Sequence, residues 1–254
     1  MKKIIFPFIF WGKSYSEDLS SYCLNTLIYE IKNFDKKYFK IDFALWTTNQ
    51  DFKIIKKKFK SSLNSFEFID INLFLKNKEL SKLNKYQFLN IIQIMMMTKY
   101  KKKYDYIFFL YPDFIWSKGS IQNIFKKIDK FDIFFAYAPQ IIKENYIKNY
   151  RTEKLKYASQ NFIYKNLHPI VTSNTVNQVN SLNTAACLSF KFKDYYIFRN
   201  FHLHPICISL KSFSNDLLKP FYTSLDEDFV GNLNLNKIKT YIPKSSNEMI
   251  FASL

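Results

Sequence analysis

An unbroken apolar run, YIFFLY at residues 106–111, ends in Pro112 and is followed at once by the carboxylate of Asp113. A run of that length bounded by a turn residue predicts a β-strand buried on both faces, which is typical of a parallel sheet covered by helices. Ligands bind at the carboxyl ends of the strands in open α/β sheets. Asp113 is therefore a candidate site residue.

Strand-like and helical patterns alternate through the first half of the chain. Apolar runs between turn residues predict strands at residues 4–11, 41–47, 66–71, 106–111 and 132–138. Segments with helical spacing predict helices at residues 16–33, 51–60, 81–103 and 120–129. This alternation predicts an α/β fold with a mainly parallel, doubly wound central sheet and helices on both faces.

The second half is less regular. Residues 168–183 are polar and without period, which predicts a long loop, and a strand is predicted at residues 182–190. The chain contains no credible linker and no repeat. We therefore expect one domain over residues 1–254.

The positive charge of the chain comes almost entirely from lysine. The 254 residues are 48% apolar, enough for a core, and their formal charge is +17, yet only Arg151 and Arg199 are arginine. Lysine lacks arginine's bidentate fork, and no nucleic-acid-binding module is recognisable. We expect no nucleic-acid partner, whereas a lysine surplus suits an anionic substrate or a peripheral contact with an anionic membrane surface.

Cysteine usage and the N-terminal segment indicate a compartment. Cys23, Cys187 and Cys207 are widely spaced and odd in number, which favours buried free thiols in a reducing environment. The segment IIFPFIFW is short, is interrupted by Pro7 and lacks a small-residue cleavage site, so we expect a first strand there and not a signal peptide. No apolar run approaches the ~18 to 20 residues that span a bilayer. The sequence predicts a cytoplasmic protein, soluble or peripheral at the inner face of the membrane.

Three more side chains follow the first two predicted strands and belong to the same predicted edge as Asp113. Lys13 suits a phosphate, Thr47 ends the second strand, and Trp11 either stacks on a nucleobase or covers the core. With only three glycines in the chain, Gly-rich phosphate loops are practically excluded. The composition therefore argues against classical dinucleotide dehydrogenases and P-loop kinases.

Two histidines alternate in the segment FHLHP. On a strand, His202 and His204 project from one face. Two such imidazoles bind a divalent cation when a distant carboxylate such as Asp113 completes the shell. The competing interpretation is a pair satisfied by backbone hydrogen bonds, and a lone His-x-His motif does not decide between them.

The acidic triplet Asp226-Glu227-Asp228 also has two interpretations. Ser224 and Glu227 fit a helix capping box, with the other acids in the first helical turn. Alternatively, a carboxylate of this triplet acts as a general base, provided that the fold brings it to the carboxyl edge of the sheet. The sequence leaves both interpretations open.

Residues 1–140 resemble the nucleotide-sugar-binding half of a GT-A-type glycosyltransferase of the bacterial surface-polysaccharide kind. The resemblance rests on IIFPFIFWGKSYSEDL, the helical segment after it, and above all YDYIFFLYPDFIWSKGSIQNI. In that family a hydrophobic strand ends in an Asp-x-Asp motif that binds the ribose and, through a divalent metal, the sugar diphosphate. The corresponding triplet here is Tyr111-Pro112-Asp113, in which only the last acid is present.

The resemblance implies a single GT-A-like, Rossmann-like domain in which residues 141–254 form the acceptor side. It implies that a sugar moves from a nucleotide-diphosphate donor to a hydroxyl of a glycan or lipid-linked acceptor in surface polysaccharide synthesis. Two other classes of function stay open beside this one. The incomplete acidic motif permits a non-catalytic sugar-nucleotide or glycan-binding relative, and the lysines permit a basic adaptor on membranes or polyanions.

Under the resemblance, the candidate residues take three roles. The residues expected to bind the nucleotide sugar are Trp11, Lys13, Thr47 and Asp113. The ligands expected for Mn²⁺ or Mg²⁺ are Asp113, His202 and His204; the alternative, which the missing first acid leaves open, is a transferase that works without a metal. The residues expected to act as the base are Asp226 or Asp228.

Overall fold

The chain folds into strands and helices that alternate in its first half. The computed structural model describes residues 1–32, 37–62, 66–137, 141–153, 157–166, 185–192, 195–213, 237–243, 248–249 and 251–254. The strands are β1 (Lys2–Ile9), β2 (Phe39–Thr47), β3 (Glu67–Asp70), β4 (Tyr106–Phe108), β5 (Phe114–Trp116), β6 (Ile133–Tyr137), β7 (Ala185–Phe192), β8 (Tyr195–Ser209), β9 (Thr240–Tyr241) and β10 (Phe251–Ser253). The helices are α1 (Lys13–Asp18), α2 (Leu24–Lys32), α3 (Asn49–Ser62), α4 (Asn72–Leu75), α5 (Lys85–Tyr100), α6 (Ser120–Phe125), α7 (Lys143–Glu153) and α8 (Gln160–Lys165).

The central sheet is mainly parallel, as the sequence predicts. Its strand order is β3-β2-β1-β4-β8-β6-β9, and β7 pairs with β8. The pairs β1–β2, β2–β3, β1–β4 and β6–β9 are parallel, whereas β8 lies antiparallel between β4 and β6. A separate antiparallel pair joins β5 to β10 at the end of the chain.

Both faces of the sheet are buried under helices, which explains the unbroken apolar runs. Along β1, Phe6 and Phe8 belong to a core shared with α2 and α6, while Ile5 and Ile9 belong to a second core shared with α5. Successive strand residues point to opposite faces, so a strand covered on both sides is apolar at every position. The prediction of helices on both faces is confirmed.

Two carboxylates link neighbouring strand ends at the amino edge of the sheet. Asp105 accepts a hydrogen bond from the amide of Lys3 at 2.8 Å, and Asp132 accepts one from the amide of Lys239 at 2.9 Å. Each aspartate also contacts a residue just beyond β8: Lys211 pairs with Asp105, and Ser212 donates to Asp132. These contacts tie neighbouring strand ends together at the edge opposite Asp113.

Several element boundaries differ from the predicted ones. The helix predicted at residues 16–33 begins earlier, at Lys13. It contains a π-helical turn, Leu19–Cys23, between α1 and α2. The helix predicted at residues 81–103 begins at Lys85, because Asn84 accepts hydrogen bonds from the amides of the first turn. The strand predicted at residues 182–190 overlaps β7, whereas the predicted loop at 168–183 lies outside the described residues.

The length and apolar content of the described helices bear on whether they could cross a membrane. None of them is both long and apolar enough to cross a membrane. Cys23 and Cys207 are free and buried.

Candidate functional site

The carboxyl ends of β1, β2 and β4 meet at one edge of the sheet. Ile9 lies opposite Trp46 in the parallel register of β1 and β2, and Phe8 forms a parallel bridge with Leu110 just beyond β4. The segments that follow these strands are therefore neighbours. This edge is where open α/β sheets bind ligands.

Asp113 lies in the turn between β4 and β5 and is fixed by the last residues of the chain. Its carboxylate accepts a hydrogen bond from the Ser253 hydroxyl at 2.7 Å, and its carbonyl accepts one from the amide of Leu254 at 3.0 Å. The pairing of β10 with β5 places Ser253 opposite Phe114, next to the aspartate. The carboxylate is thus held at the edge by a segment 140 residues away in the chain.

The surroundings of Asp113 disfavour its charged form. Burial raises the pKa of Asp113, and the hydrogen bond from Ser253 opposes that shift. The negative charge of Asp18 raises this pKa further, while the positive charge of Lys85 lowers it. A carboxyl group whose pKa is shifted by burial and by nearby charges, at a ligand-binding edge, is a candidate functional group.

Tyr111 takes the place of the first acid in the Asp-x-Asp pattern. Its hydroxyl accepts a hydrogen bond from Nε2 of Gln93 at 2.7 Å. Its ring centroid lies 4.7 Å from that of Phe114 and 6.0 Å from that of His204. Because β8 is antiparallel to β4, His204 reaches the same edge as Asp113, packed beside aromatic rings.

Asp51 organises the loop after β1. Its buried carboxylate accepts hydrogen bonds from the amide of Gly12 at 2.9 Å, from the hydroxyl of Ser16 at 3.0 Å and from the hydroxyl of Thr48 at 2.7 Å. Gly12 has a φ of 103°, a backbone conformation that side-chain-bearing residues rarely adopt. Asp51 therefore connects the segments that follow β1 and β2.

The three other residues expected at the donor lie in different surroundings. Trp11 is half-buried, with its ring 5.4 Å from that of Phe88 in an edge-on contact. Lys13 is exposed, and its Nζ lies 3.7 Å from a carboxylate oxygen of Glu17. Thr47 is fully buried, and its hydroxyl has no hydrogen-bond partner among the residues that the structure describes. A buried Thr47 side chain does not face a ligand at the surface of this edge, so Thr47 is not part of the proposed site.

Lys85 and Tyr15 were not predicted from the sequence. Lys85 is the first residue of α5, and its Nζ donates a hydrogen bond to the Tyr15 hydroxyl at 2.9 Å while lying 5.0 Å from the centre of the Tyr15 ring. The hydrogen bond with Tyr15 raises the pKa of Lys85, and the charge of Asp113 adds to that shift. A usable sequence signal exists in the capping residues Asn84 and Gln87, which fix the start of α5.

An ion pair between α1 and α7 acts on Asp113. Asp18 at the end of α1 is buried, and Lys143 at the start of α7 contacts its carboxylate at 2.6 Å. This pair connects the helix after β1 with the segment after β6. Burial raises the pKa of Cys23, and the negative charges of Asp113 and Asp18 raise it further. The charge of Asp18 likewise adds to the raised pKa of Asp113.

The remaining predicted site residues are described in part or not at all. The backbone of His202, in β8, pairs with that of Ala185 in β7, but the side chain of His202 lies outside the described part of the structure. Asp226 and Asp228 also lie outside it. Among the described side chains, no group of three or more His, Cys, Asp or Glu residues is placed to hold a metal ion. The described residues, including Asp113 and His204, therefore do not form the predicted metal site on their own.

Comparisons with known proteins give structural neighbours only. No protein-family model and no curated protein matches this sequence. The fold is similar to that of mouse xyloside xylosyltransferase 1 in its apo form, with a TM-score of 0.41 and 15% identity over 60% of this chain and 58% of that one.

Two further neighbours are S. aureus TarS 1–349 in complex with UDP-GlcNAc and WbbM, a bifunctional glycosyltransferase in its apo form. TarS aligns with a TM-score of 0.36 and 16% identity over 56% of this chain and 35% of that one. WbbM aligns with a TM-score of 0.35 and 14% identity over 58% of this chain and 24% of that one. The chain spans less than two thirds of each of these three solved chains.

Proposed function

We propose that this chain is a glycosyltransferase that moves a sugar from a nucleotide-diphosphate donor to a hydroxyl of a glycan or lipid-linked acceptor in surface polysaccharide synthesis. The observation that carries the proposal is the position of Asp113. Its partly buried carboxylate stands at the carboxyl edge of a mainly parallel sheet and interacts electrostatically with Lys85. A nucleotide sugar carries hydroxyls, which a carboxylate can bind, and phosphates, which an ammonium group can bind, so this pair of side chains matches its chemistry.

The donor binds across the segments that follow β1 and β4. Ionised Asp113 accepts hydrogen bonds from hydroxyls of the ribose or the transferred sugar, because an ionised carboxylate is purely an acceptor. The half-buried ring of Trp11 offers a surface for the nucleobase, and Lys13 offers a charge for phosphate. Asp51 supports this arrangement because it fixes Gly12 between these two residues.

The reaction forms a bond between the acceptor oxygen and the anomeric carbon of the sugar. The bond from that carbon to the phosphate oxygen breaks, and the nucleoside diphosphate leaves with the bonding electron pair. In an inverting reaction one carboxylate takes the proton of the acceptor hydroxyl, and we assign that role to Asp226 or Asp228. Residues 1–140 then bind the donor, and residues 141–254 form the acceptor side.

We place the protein in the cytoplasm, in peripheral contact with the inner face of the cell membrane. The support for this setting is the lysine surplus, since lysines near an anionic leaflet contribute about 1 kcal/mol each to attraction. A lipid-linked acceptor would be available at the same surface.

Release of nucleoside diphosphate from UDP-sugars and GDP-sugars, measured with and without a glycan extract, tests the transferase activity. We expect Asp226→Asn or Asp228→Asn to lower kcat by roughly 10²-fold or more, as for loss of a general base, with donor affinity unchanged. Glu227→Gln is the matched control for a charge lost from the same triplet. Absence of binding and turnover with every donor would overturn the proposal, and full activity in both aspartate variants would overturn the assignment of the base.

A further inference from the structure

The acid that the resembled motif has at its first position is replaced here by a phenol with other contacts. The Tyr111 hydroxyl accepts the hydrogen bond from Gln93, and its ring packs beside Phe114 and His204. A neutral phenol brings no charge to a divalent cation. The strand end therefore offers one carboxylate, Asp113, where the motif offers two.

The other carboxylates described at this edge are bound by protein groups. Asp18 pairs with Lys143, and Asp51 accepts hydrogen bonds from three donors. One oxygen of Asp113 accepts the hydrogen bond from Ser253. A hard cation such as Mg²⁺ or Mn²⁺ needs several oxygen ligands at short distance, and the described part of the edge does not present them.

A cation of the protein itself is present at the same edge. Lys85 is exposed, yet its ammonium is directed by the Tyr15 hydroxyl and by the face of the Tyr15 ring. The amides of Tyr86 and Gln87 in the first turn of α5 already donate to Asn84, so the anion-binding group here is the side chain of Lys85. Its charge and that of Asp113 act on each other.

We infer that Lys85, oriented by Tyr15, binds the diphosphate of the donor and offsets its charge in place of a divalent metal ion. This inference rests on the proposed transferase function. An ammonium fixed beside the leaving group stabilises the negative charge that develops on the phosphate oxygen as the sugar departs. The diphosphate leaves paired with Lys85, and the step needs no further reactant.

Calorimetric titration with UDP and GDP, each paired with its nucleoside, tests the inference. We use the diphosphate that the wild-type protein binds more tightly, in EDTA and again with Mn²⁺. Lys85→Met is expected to weaken diphosphate binding roughly tenfold or more while leaving nucleoside binding unchanged, because a charge-assisted hydrogen bond is lost. Lys85→Arg is expected to retain most of the affinity.

Lys82→Met is the matched control, since Lys82 is an exposed lysine three residues earlier that pairs with Glu79. It is expected to leave both affinities unchanged, and EDTA is expected to leave the wild-type affinity for the diphosphate unchanged. A wild-type protein that binds the diphosphate only with Mn²⁺, or a Lys85→Met variant that binds it as tightly as the wild type, would overturn the inference but not the transferase function. Failure of the wild-type protein to bind any nucleoside diphosphate, with or without Mn²⁺, would overturn both.

Discussion

The Ser253 hydroxyl donates a 2.7 Å hydrogen bond to the carboxylate of Asp113, although the two residues are 140 positions apart in the chain. This hydrogen bond favours the ionised form of an acid whose pKa is raised by burial. It also orients the carboxylate at the edge where we place the donor. Ser253 is therefore a positioning residue for Asp113.

Ser253→Ala is expected to raise the pKa of Asp113 further and to weaken donor binding at neutral pH. The pH at which binding is lost on acidification should move upward, because protonated Asp113 has lost acceptor capacity. Affinity measured as a function of pH checks this, with Ser212→Ala as control, since Ser212 donates to Asp132 at the opposite edge. A Ser253→Ala variant with the pH profile of the wild type would contradict the positioning role.

Asp113→Asn is expected to stabilise the ligand-free protein at neutral pH. The folded-state pKa of Asp113 is raised, so its contribution to folding stability is fully present below the unfolded pKa, about 4, and is lost as pH rises through the folded value. Asparagine does not ionise and keeps an oxygen for Ser253. Urea unfolding at pH 7 and near pH 4 should show a gain at pH 7 that shrinks at the lower pH, and an equal loss of stability at both would refute this.

Asp51→Ala is expected to lower the free energy of unfolding by about 3 kcal/mol, because it leaves the donors on Gly12, Ser16 and Thr48 without their acceptor. Donor affinity should fall as well, since the loop that holds Trp11 and Lys13 loses its anchor. Asp51→Asn, which keeps one acceptor oxygen, should cost less. Denaturation and calorimetry on both variants check this, and a loss below about 1 kcal/mol in the alanine variant would argue against the anchoring role.

Glu30→Ala is expected to destabilise the fold by about 3 kcal/mol without a specific effect on donor binding. The buried carboxylate of Glu30 accepts hydrogen bonds from the amides of Gly119, at 2.8 Å, and Ile121, at 3.1 Å, at the start of α6. Glu17→Ala is the control for loss of an exposed acid and should change the stability little. Equal denaturation midpoints for Glu30→Ala and the wild type would show that this cap is dispensable.

Local pattern was sufficient to predict the layers of the fold. The run at residues 106–111 is apolar at every position because both faces of β4 are covered, and the same reasoning located β1 and β2. Strand β8 was not predicted, and neither was its direction, because a strand buried on both faces has the same pattern whether it runs parallel or antiparallel. The pair β5 and β10 was missed because each strand is only three residues long.

The site was predictable only where its residues adjoin a strand end. Asp113 was found because it follows an apolar run, whereas Ser253 reaches it through a pairing that joins distant segments. Thr47 follows the same rule as Asp113, yet its side chain is buried, because both faces of β2 are covered at this end of the strand. The capping signal at Asn84 fixes where α5 begins, and it would have identified Lys85 as the first residue of that helix.

Calorimetric titration of UDP-sugars and GDP-sugars into the wild type, Asp113→Asn and Asp129→Asn tests the central claim most directly. Asp129 is an exposed aspartate at the opposite edge that pairs with Lys2 at 2.7 Å, so its variant controls for the same chemical change. We predict that one donor class binds the wild type and Asp129→Asn equally, and binds Asp113→Asn roughly tenfold or more weakly. Equal donor affinity in all three proteins, or no binding of any nucleotide sugar to the wild type, would contradict the claim that this edge is a nucleotide-sugar site.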